Sequence, residues 1–365
     1  GSRDISQYPD ASDQGCRFAK GLWVMHGSYP APIDSISTDR LSVEARAYLA
    51  SARQRGFLDR IHAAFERADK LKIVFVGETI IDEYCFVKPL ARPSKEFILA
   101  TVAVNEPESF FGGVMAAARQ GEWRRVEIVS IYEQVIRKTR YVDGDFSRKL
   151  FEVYSGQQIV LSEENRACFR MRLDKAVHDA DVVIVFDFGH GLMGEEERRI
   201  VDNAKFLAVN AQTNAGNAGF NPVTKYRRAD YVCVDEPEAR LATGDQYGLV
   251  EDLAQKLTQW MQCGGVVITR GRNGATVSDR TQPTIRSDGI PVLAAVPAFA
   301  THGIDTIGAG DAFLAVTAPL LAAGLDLEIA AFVGNVAGAI KIDIVGHRRH
   351  VERAELISAI DGLLK

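Results

Sequence analysis

Cysteine is scarce in this chain of 365 residues, and no two cysteines stand in a C-x-x-C spacing. The five cysteines form an odd set scattered over positions 16, 85, 168, 233 and 263. This usage argues against a disulfide framework and favours reduced thiols. We therefore expect a protein of the cytoplasm.

Long hydrophobic runs and concentrated basic charge are also missing. No apolar run reaches the roughly 20 residues that span a bilayer, and no signal-peptide pattern is present. The net charge is −5, and the longest basic cluster, residues 347–350, predicts only a solvated turn. We therefore expect neither a membrane nor a nucleic acid as partner. Apolar residues make up 47 %, which is enough for a sizeable core.

The most informative stretch is residues 305–313, with the sequence DTIGAGDAF. Gly308, Ala309 and Gly310 are small, so the backbone can turn tightly and bring its N–H groups close to a ligand. The apolar run that follows predicts a buried helix, whose N-terminus attracts anions. Asp311 places a carboxylate beside that anion site, as phosphoryl transfer to a hydroxyl requires. A glycine-rich turn in an unrelated α/β protein is the alternative, and the full string makes it the weaker one.

These nine residues, hereafter the signature, resemble the Asp-Thr-x-Gly-Ala-Gly-Asp-x-Phe motif of the ribokinase/PfkB family of carbohydrate kinases. The resemblance implies that Asp311 is the general base, that the amides of residues 308–310 form an anion hole, and that Thr306 lies at the nucleotide. It implies an α/β protein with a ribokinase-like three-layer α/β/α sandwich and a small β lid. It also implies ATP and Mg²⁺ as cofactors, leaves a monovalent cation open, and suggests a homodimer.

The first 70 residues carry no part of this resemblance. Residues 1–40 are rich in Ser, Asp, Pro and Gly and predict an irregular extension. Residues 42–70 have a helical period, which predicts two helices broken at Gly56. We assign residues 1–70 to an N-terminal extension and residues 71–365 to the kinase domain, with lid segments near 84–110 and 135–155.

The substrate site is suggested by Asp82, which follows a predicted strand at 72–77, and by the pair Gly112 and Gly113. The resemblance implies that Asp82 binds substrate hydroxyls and that the glycines let the backbone approach the sugar. A turn cap and a hairpin are the alternatives for these residues. Two features depart from the family: its asparagine after the glycine pair is absent from residues 114–118, and the segment 119–137 is short.

Residues 137–142 and 148–153 alternate as strands across an Asp-Gly-Asp turn and predict a β-hairpin. Lys138 and Arg140 are two residues apart and share one face, so together they suit a phosphate. In bacterial heptose-phosphate kinase/nucleotidyltransferase enzymes, which this chain resembles most, a similar strand carries basic residues toward the sugar's distal phosphate. A solvated lid face is an equally weighted alternative.

The nucleotide and metal sites are implied by the resemblance alone. Nucleotide contacts are expected at Asn210, Thr269, Gly271, Gly274 and Asn335. Asp235 and Glu238 resemble an Asn-x-x-Glu motif that holds the magnesium–water shell, with Asp235 in the asparagine position adding a negative charge. A plain acidic helix N-terminus is the alternative.

The sequence therefore predicts an ATP-dependent kinase for a hydroxyl of a sugar or sugar phosphate, the anomeric one by resemblance to the heptose kinases. The alternative is a catalytically impaired ribokinase-like protein that binds a sugar or nucleotide for regulation or assembly. The missing asparagine, Asp235 and the short segment 119–137 favour the alternative, whereas the intact Asp311 argues against it.

Overall fold

The computed structural model describes residues 36, 41–90, 96, 98–146, 148–156, 158–280, 284–285, 291–292, 294–300 and 303–365. The irregular extension expected for residues 1–40 lies outside the described residues except for Ile36. The helices are α1 (Val43–Gln54), α2 (Phe57–Ala68), α3 (Gly113–Ala117), α4 (Glu163–Asp179), α5 (Glu195–Val201), α6 (Glu236–Thr243), α7 (Val250–Trp260), α8 (Ala309–Ala322), α9 (Leu327–Lys341) and α10 (Arg353–Leu364).

Strands form a central sheet, a smaller sheet and one short pair. They are β1 (Ile73–Gly77), β2 (Thr79–Pro89), β3 (Thr101–Ala103), β4 (Glu108–Gly112), β5 (Val126–Val129), β6 (Ile136–Asp143), β7 (Lys149–Ser155), β8 (Val182–Asp187), β9 (Leu207–Ala211), β10 (Tyr231–Asp235), β11 (Gly265–Thr269), β12 (Ala275–Asp279), β13 (Thr284–Ile285), β14 (Pro291–Val292) and β15 (Ala294–Val296). The central order is β15-β12-β11-β10-β9-β8-β1-β5, parallel except at β12 and β15.

The central sheet is buried on both faces because its strands are apolar on both sides. In β1, Ile73 and Phe75 belong to one core cluster while Val74 belongs to the other. Helices α1–α3 and α8–α10 cover the first face, and α4–α7 cover the second. This arrangement, typical of parallel sheets, confirms the three-layer sandwich.

Helices α1 and α2 form the pair expected from the sequence, with Gly56 at the break in a left-handed conformation (φ 67°). They pack into the same core as the sheet. The Phe57 ring lies 6.3 Å from that of Phe332 in α9, and Ile61 is fully buried. Each such side chain contributes about 1.5–3 kcal/mol to folding. The domain boundary near residue 70 stays a prediction, although α1 and α2 before it share one hydrophobic core with the elements after it.

The smaller sheet, hereafter the lid, has the order β3-β2-β6-β7, with β4 also paired to β2. The hairpin expected from alternation is present as β6 and β7. Asp82 lies inside the long strand β2 rather than in a turn, so the turn-cap alternative is wrong. The reason is that β2 pairs with β4 on one side and with β6 on the other, which satisfies its backbone. Among the described residues, no helix is long and apolar enough to cross a membrane.

Candidate active site

A cavity of about 640 Å³ separates the lid from the carboxyl ends of the central strands. Asp82, Lys138 and Arg140 line it from the lid, whereas Asp235 and Thr269 line it from the ends of β10 and β11. Open parallel sheets bind ligands at this edge. The cavity is therefore the candidate active site.

The cavity brings together nearly all residues singled out in the sequence. They are Asp82, Gly113, Lys138, Arg140, Asn210, Asp235, Glu238, Thr269, Gly271, Gly274, Thr306, Gly308, Ala309, Gly310, Asp311 and Asn335. The remaining one, Gly112, lies directly behind Asp82, since a Cβ at this position would clash with Oδ2 of the Asp82 carboxylate. Only a glycine at position 112 allows β4 to lie this close to the Asp82 carboxylate.

The signature forms the N-terminus of α8. Gly308 is the N-cap residue and has φ 75°, a left-handed conformation that glycine adopts at little cost. A Cβ at Gly310 would have nothing within 4 Å, so the helix start opens onto free space. The first amides of a helix have no partner within the helix and point along its axis. The Ala309 amide donates to the carbonyl of Thr306 at 3.3 Å, a long hydrogen bond that an anion at the helix start can replace, so the geometry suits an anion at residues 308–310.

Asp311 sits in the first turn of α8 and is partly exposed, toward the cavity. Burial raises the pKa of its carboxyl to about 6, with Asp82 adding to the rise and His347 and Lys138 opposing it. A carboxylate with this pKa is ionised at neutral pH and yet basic enough to accept a proton from a hydroxyl. Asp311 therefore has the protonation behaviour that a general base needs.

Both carboxylate oxygens of Asp82 have a side-chain partner. Arg140 binds Oδ1, and Nε2 of His347 lies 3.1 Å from Oδ2. Burial raises the pKa of Asp82, but the hydrogen bond from His347 and the charge of Arg140 outweigh it and hold the pKa well below its usual range. Asp82 is therefore an oriented, ionised acceptor for hydroxyl groups.

Asp305, the first residue of the signature, had no role assigned from the sequence beyond completing the motif. Its carboxylate accepts hydrogen bonds from Tyr84 of β2 at 2.9 Å, from Lys149 of β7 at 2.6 Å and from the amide of Gly346 at 2.9 Å. Burial opposes its ionisation, but the Lys149 and Gly346 hydrogen bonds lower its pKa to about 2. Asp305 thus ties the lid to the segment that leads into α8.

The expectation of a solvated turn at residues 347–350 is wrong for His347, whose side chain is only 6 % exposed. Two bonds to Gly346 hold the loop inward: its amide donates to Asp305, and its carbonyl accepts from Lys341. Lys341 is itself fully buried, and burial lowers its pKa to about 8. Both residues come from a segment more than 250 positions after Asp82 in the chain, so no local pattern could reveal them.

The alternative of a solvated lid face is wrong for Lys138 and Arg140, which are buried and line the cavity. Arg140 is bound to Asp82 and also lies 3.3 Å from Glu152. Lys138 lies over the ring of Tyr154 at 5.2 Å and, within the part of the chain that the structure describes, forms no ion pair. Burial lowers the pKa of Lys138, while the charge of Asp82 opposes the shift.

Several expected nucleotide residues shape the backbone of the cavity. The Asn335 amide donates to the carbonyls of Val296 and Pro297 at 3.1 and 3.0 Å. The Asn210 amide donates to the carbonyl of Cys233 at 2.9 Å. A Cβ on Gly274, at φ 78°, would clash with the carbonyl of Val296. These residues fix the walls around the space, and their contact with a nucleotide stays a prediction.

Asp235 and Glu238 form a capping box at the start of α6. The Glu238 amide donates to Asp235 at 2.7 Å, and the Asp235 amide donates to Glu238 at 2.9 Å. Burial and the charge of Asp235 raise the pKa of Glu238 to about 8. The helix-N-terminus alternative is therefore present, and a metal role stays a prediction. No group of three or more His, Cys, Asp or Glu that could hold a metal occurs among the described residues.

Comparisons with known proteins agree with this geometry. Residues 197–352 match the model of the pfkB family carbohydrate kinases. The chain is 26 % identical over 324 residues to the bifunctional protein HldE of Shewanella amazonensis, covering 81 % of this chain and 64 % of that protein. It is 24 % identical over 335 residues to HldE of Koribacter versatilis, covering 83 % and 65 %. The chain thus spans less than two thirds of the length of these curated relatives.

Solved structures share the fold at low sequence identity. Phosphofructokinase-2 from Escherichia coli in complex with potassium has a TM-score of 0.61 at 14 % identity, covering 81 % of this chain and 100 % of that one. Ribokinase from Thermotoga maritima has a TM-score of 0.59 at 17 % identity, covering 80 % and 99 %. The ribokinase-like fold is therefore confirmed. Residues 197–352 are thus similar to the carbohydrate kinases of the pfkB family, in agreement with the ATP-dependent sugar kinase expected from the sequence.

Proposed function

We propose that this protein transfers the γ-phosphoryl group of ATP to a hydroxyl of a sugar or sugar phosphate, with the anomeric hydroxyl as acceptor. One observation carries the proposal. Asp311, with a pKa raised to about 6, lines the same cavity as the ionised Asp82 and the start of α8. A base, a hydroxyl-binding carboxylate and an anion hole are thus placed around one space.

The residues act in complementary ways during the transfer. Asp82 accepts a hydrogen bond from a sugar hydroxyl and orients the ring, while Asp311 takes the proton of the attacking hydroxyl. The amides at Gly308, Ala309 and Gly310 stabilise the charge on the transferring group. The lid, held by Asp305, keeps water away from the reacting atoms.

The residues present fit the expected cofactors. The open space at Gly310 and the start of α8 suit the phosphates of ATP. Asp235 and Glu238 offer oxygen donors. Burial raises the pKa of both carboxyls, and a neighbouring carboxylate adds to each rise, so a divalent cation would favour their ionised forms. When bound, Mg²⁺ neutralises phosphate charge. The monovalent cation that the resemblance leaves open stays a prediction; beside Asp305, positive charge comes from the buried Lys341.

A distal phosphate on the acceptor is the finer part of the proposal. Lys138 and Arg140 point into the cavity from one face of β6, and Arg140 is already engaged by Asp82. Lys138 is then the cation available to a phosphate group, which supports an acceptor like that of the heptose-phosphate kinases.

A catalytically impaired binding protein remains the second candidate because both oxygens of Glu238 are occupied. Oε1 accepts from the Thr213 amide at 3.2 Å, and Oε2 accepts from the Asp235 amide. A carboxylate used in this way is a weaker metal ligand. Location in the cytoplasm is proposed as well, supported by the reduced thiols of Cys85, Cys233 and Cys263.

The test is a panel of free pentoses, hexoses and heptoses together with their terminal phosphate monoesters. Each is incubated with ATP and Mg²⁺ in parallel buffers with and without potassium, ADP release is measured, and the product is identified by ³¹P NMR. We expect a phosphorylated heptose or a related sugar phosphate to give an anomeric phosphate. Saturable sugar binding without ADP release would favour the impaired binding protein.

A further inference from the structure

His347 lies between Asp82 on the lid side of the cavity and Gly308 at the start of α8. Its Nε2 is 3.1 Å from Oδ2 of Asp82 on the lid side. On the other side, a Cβ placed on Gly308 would be 2.8 Å from Cε1 and 3.5 Å from Nδ1 of the same ring. The imidazole therefore spans the space from the hydroxyl-binding carboxylate to the anion hole. It lines the cavity, yet it lies outside every motif that the sequence presents.

The ring is held in this orientation by the residue before it. Gly346 has φ 52°, and a Cβ there would lie 2.7 Å from the Tyr84 ring. Its amide donates to Asp305, and its carbonyl accepts from the buried Lys341. The loop is thus fixed by the signature itself. A side chain held in this way is preorganised for a ligand.

The two ring nitrogens have different environments. Asp82 is ionised and can only accept, so Nε2 of His347 carries a hydrogen and donates it. Nδ1 is buried and has no hydrogen-bond partner among the residues that the structure describes. A buried polar atom without a partner costs free energy unless a ligand or water completes its bonding. Nδ1 accepts a hydrogen bond in the neutral ring and donates one in the charged ring, and a hydroxyl can serve as partner in both cases.

We propose that His347 is a substrate-binding residue, whose Nδ1 forms a hydrogen bond with a hydroxyl of the acceptor sugar next to the hydroxyl held by Asp82. The inference rests on the proposed function and adds a contact that its motifs do not contain. A phosphoryl oxygen of ATP at Nδ1 is the competing partner, since the same ring edge faces Gly308. The two partners are distinguished by which substrate binds less well when Nδ1 is lost.

The test compares two glutamine substitutions in the full chain. His347→Gln keeps an amide donor near the Nε2 position and removes Nδ1. His350→Gln is the matched control, because His350 lies three residues further on, contacts Glu122 at 3.4 Å and does not line the cavity. Binding of each sugar of the panel is measured by calorimetry without ATP, and the KM for ATP and for the sugar is measured wherever turnover occurs.

We expect His347→Gln to weaken sugar binding and raise the sugar KM about tenfold, the effect of one lost hydrogen bond of about 1.4 kcal/mol. The KM for ATP and the melting temperature should stay unchanged, and His350→Gln should match wild type. A rise in the ATP KM alone, or unchanged sugar binding, overturns the inference. If wild type binds a sugar without turning it over and His347→Gln still weakens that binding, the role of His347 is supported and the kinase proposal is rejected. No binding of any panel sugar by wild type would overturn both.

Discussion

Asp311 shows how its surroundings give an ordinary carboxyl group a specific chemistry. Burial raises its pKa, Asp82 adds a repelling charge, and His347, Lys138 and Lys341 partly compensate. The outcome is a pKa of about 6, between that of a free carboxyl and neutral pH. The group is thus a stronger base than a solvated aspartate while remaining mostly ionised at neutral pH.

The pH dependence of turnover follows from this pKa. Because only the ionised Asp311 accepts a proton, kcat/KM should be low at pH 5, rise through about pH 6 and level off above pH 7. The measurement is kcat/KM for the best sugar of the panel, with thermal unfolding over the same range as the control for stability. A flat profile from pH 5 to 8 would remove Asp311 from the role of titrating base.

Lys138 provides a second residue-level prediction. Lys138→Met should raise the KM for a phosphorylated sugar by about tenfold or more, because a charge-assisted hydrogen bond is worth about 1.5–3 kcal/mol. Arg140→Ala should also raise the KM for the phosphorylated sugar, but it removes a partner of Asp82 as well. Lys88→Met, on the exposed part of β2, is the matched control. Equal efficiency toward the unphosphorylated sugar would show that no phosphate is bound there.

The residues of the site were predictable where a motif specifies them. Asp82, Asp311 and the signature glycines follow from short strings whose chemistry is local. His347 and Lys341 were missed, since their role depends on a loop folded back onto Asp305 by long-range hydrogen bonds. A histidine in a short basic cluster carries no signal of that contact.

Elements with a clear local period were predicted closely. Helix α8, the pair α1 and α2 and the hairpin β6–β7 all lie where the pattern placed them. Strand β2 was not foreseen as one continuous strand because Asp82 and Glu83 interrupt its apolar pattern. Both residues are compensated by partners on β6: Arg140 binds Asp82, and Arg137 binds Glu83 at 2.7 Å.

A substitution at the start of α6 distinguishes a metal-binding role of Glu238 from a helix-capping role. Glu238→Gln keeps the side-chain acceptor of the capping box, so the helix should remain, whereas the loss of a carboxylate that Mg²⁺ binding would ionise should raise the Mg²⁺ concentration needed for half-maximal rate. Glu236→Gln is the control, because Glu236 pairs with Arg240 and Arg270 and does not line the cavity. A Mg²⁺ titration identical to wild type would assign Glu238 to capping alone.

At the scale of the whole molecule, the three layers follow from the apolar strands and the signature. The packing of α1 and α2 against α9 could not be predicted from the sequence, since it depends on contacts such as that of Phe57 with Phe332, which are more than 270 residues apart in the chain. An amphipathic helix shows which face is buried, but its sequence does not show what covers that face.

The lid leaves an apolar surface that a second copy can cover. Phe151 and Val153 are two residues apart on the edge strand β7, share one face of it and are each about half exposed. We expect sedimentation equilibrium to show a dimer, and Val153→Lys to shift it to monomer with unchanged circular dichroism. Tyr247→Lys, an exposed site outside the lid, is the control. A monomeric wild type would refute the lid dimer without affecting the kinase proposal.

The most direct measurement of the central claim is the turnover of Asp311→Asn on the best acceptor of the panel. Asparagine has nearly the same shape and cannot take a proton, so folding and ATP binding should remain while kcat falls at least about 100-fold. Circular dichroism and calorimetric ATP titration are run on the same preparation. A kcat within a few-fold of wild type would contradict the account, because the transfer would then proceed without Asp311 as its base.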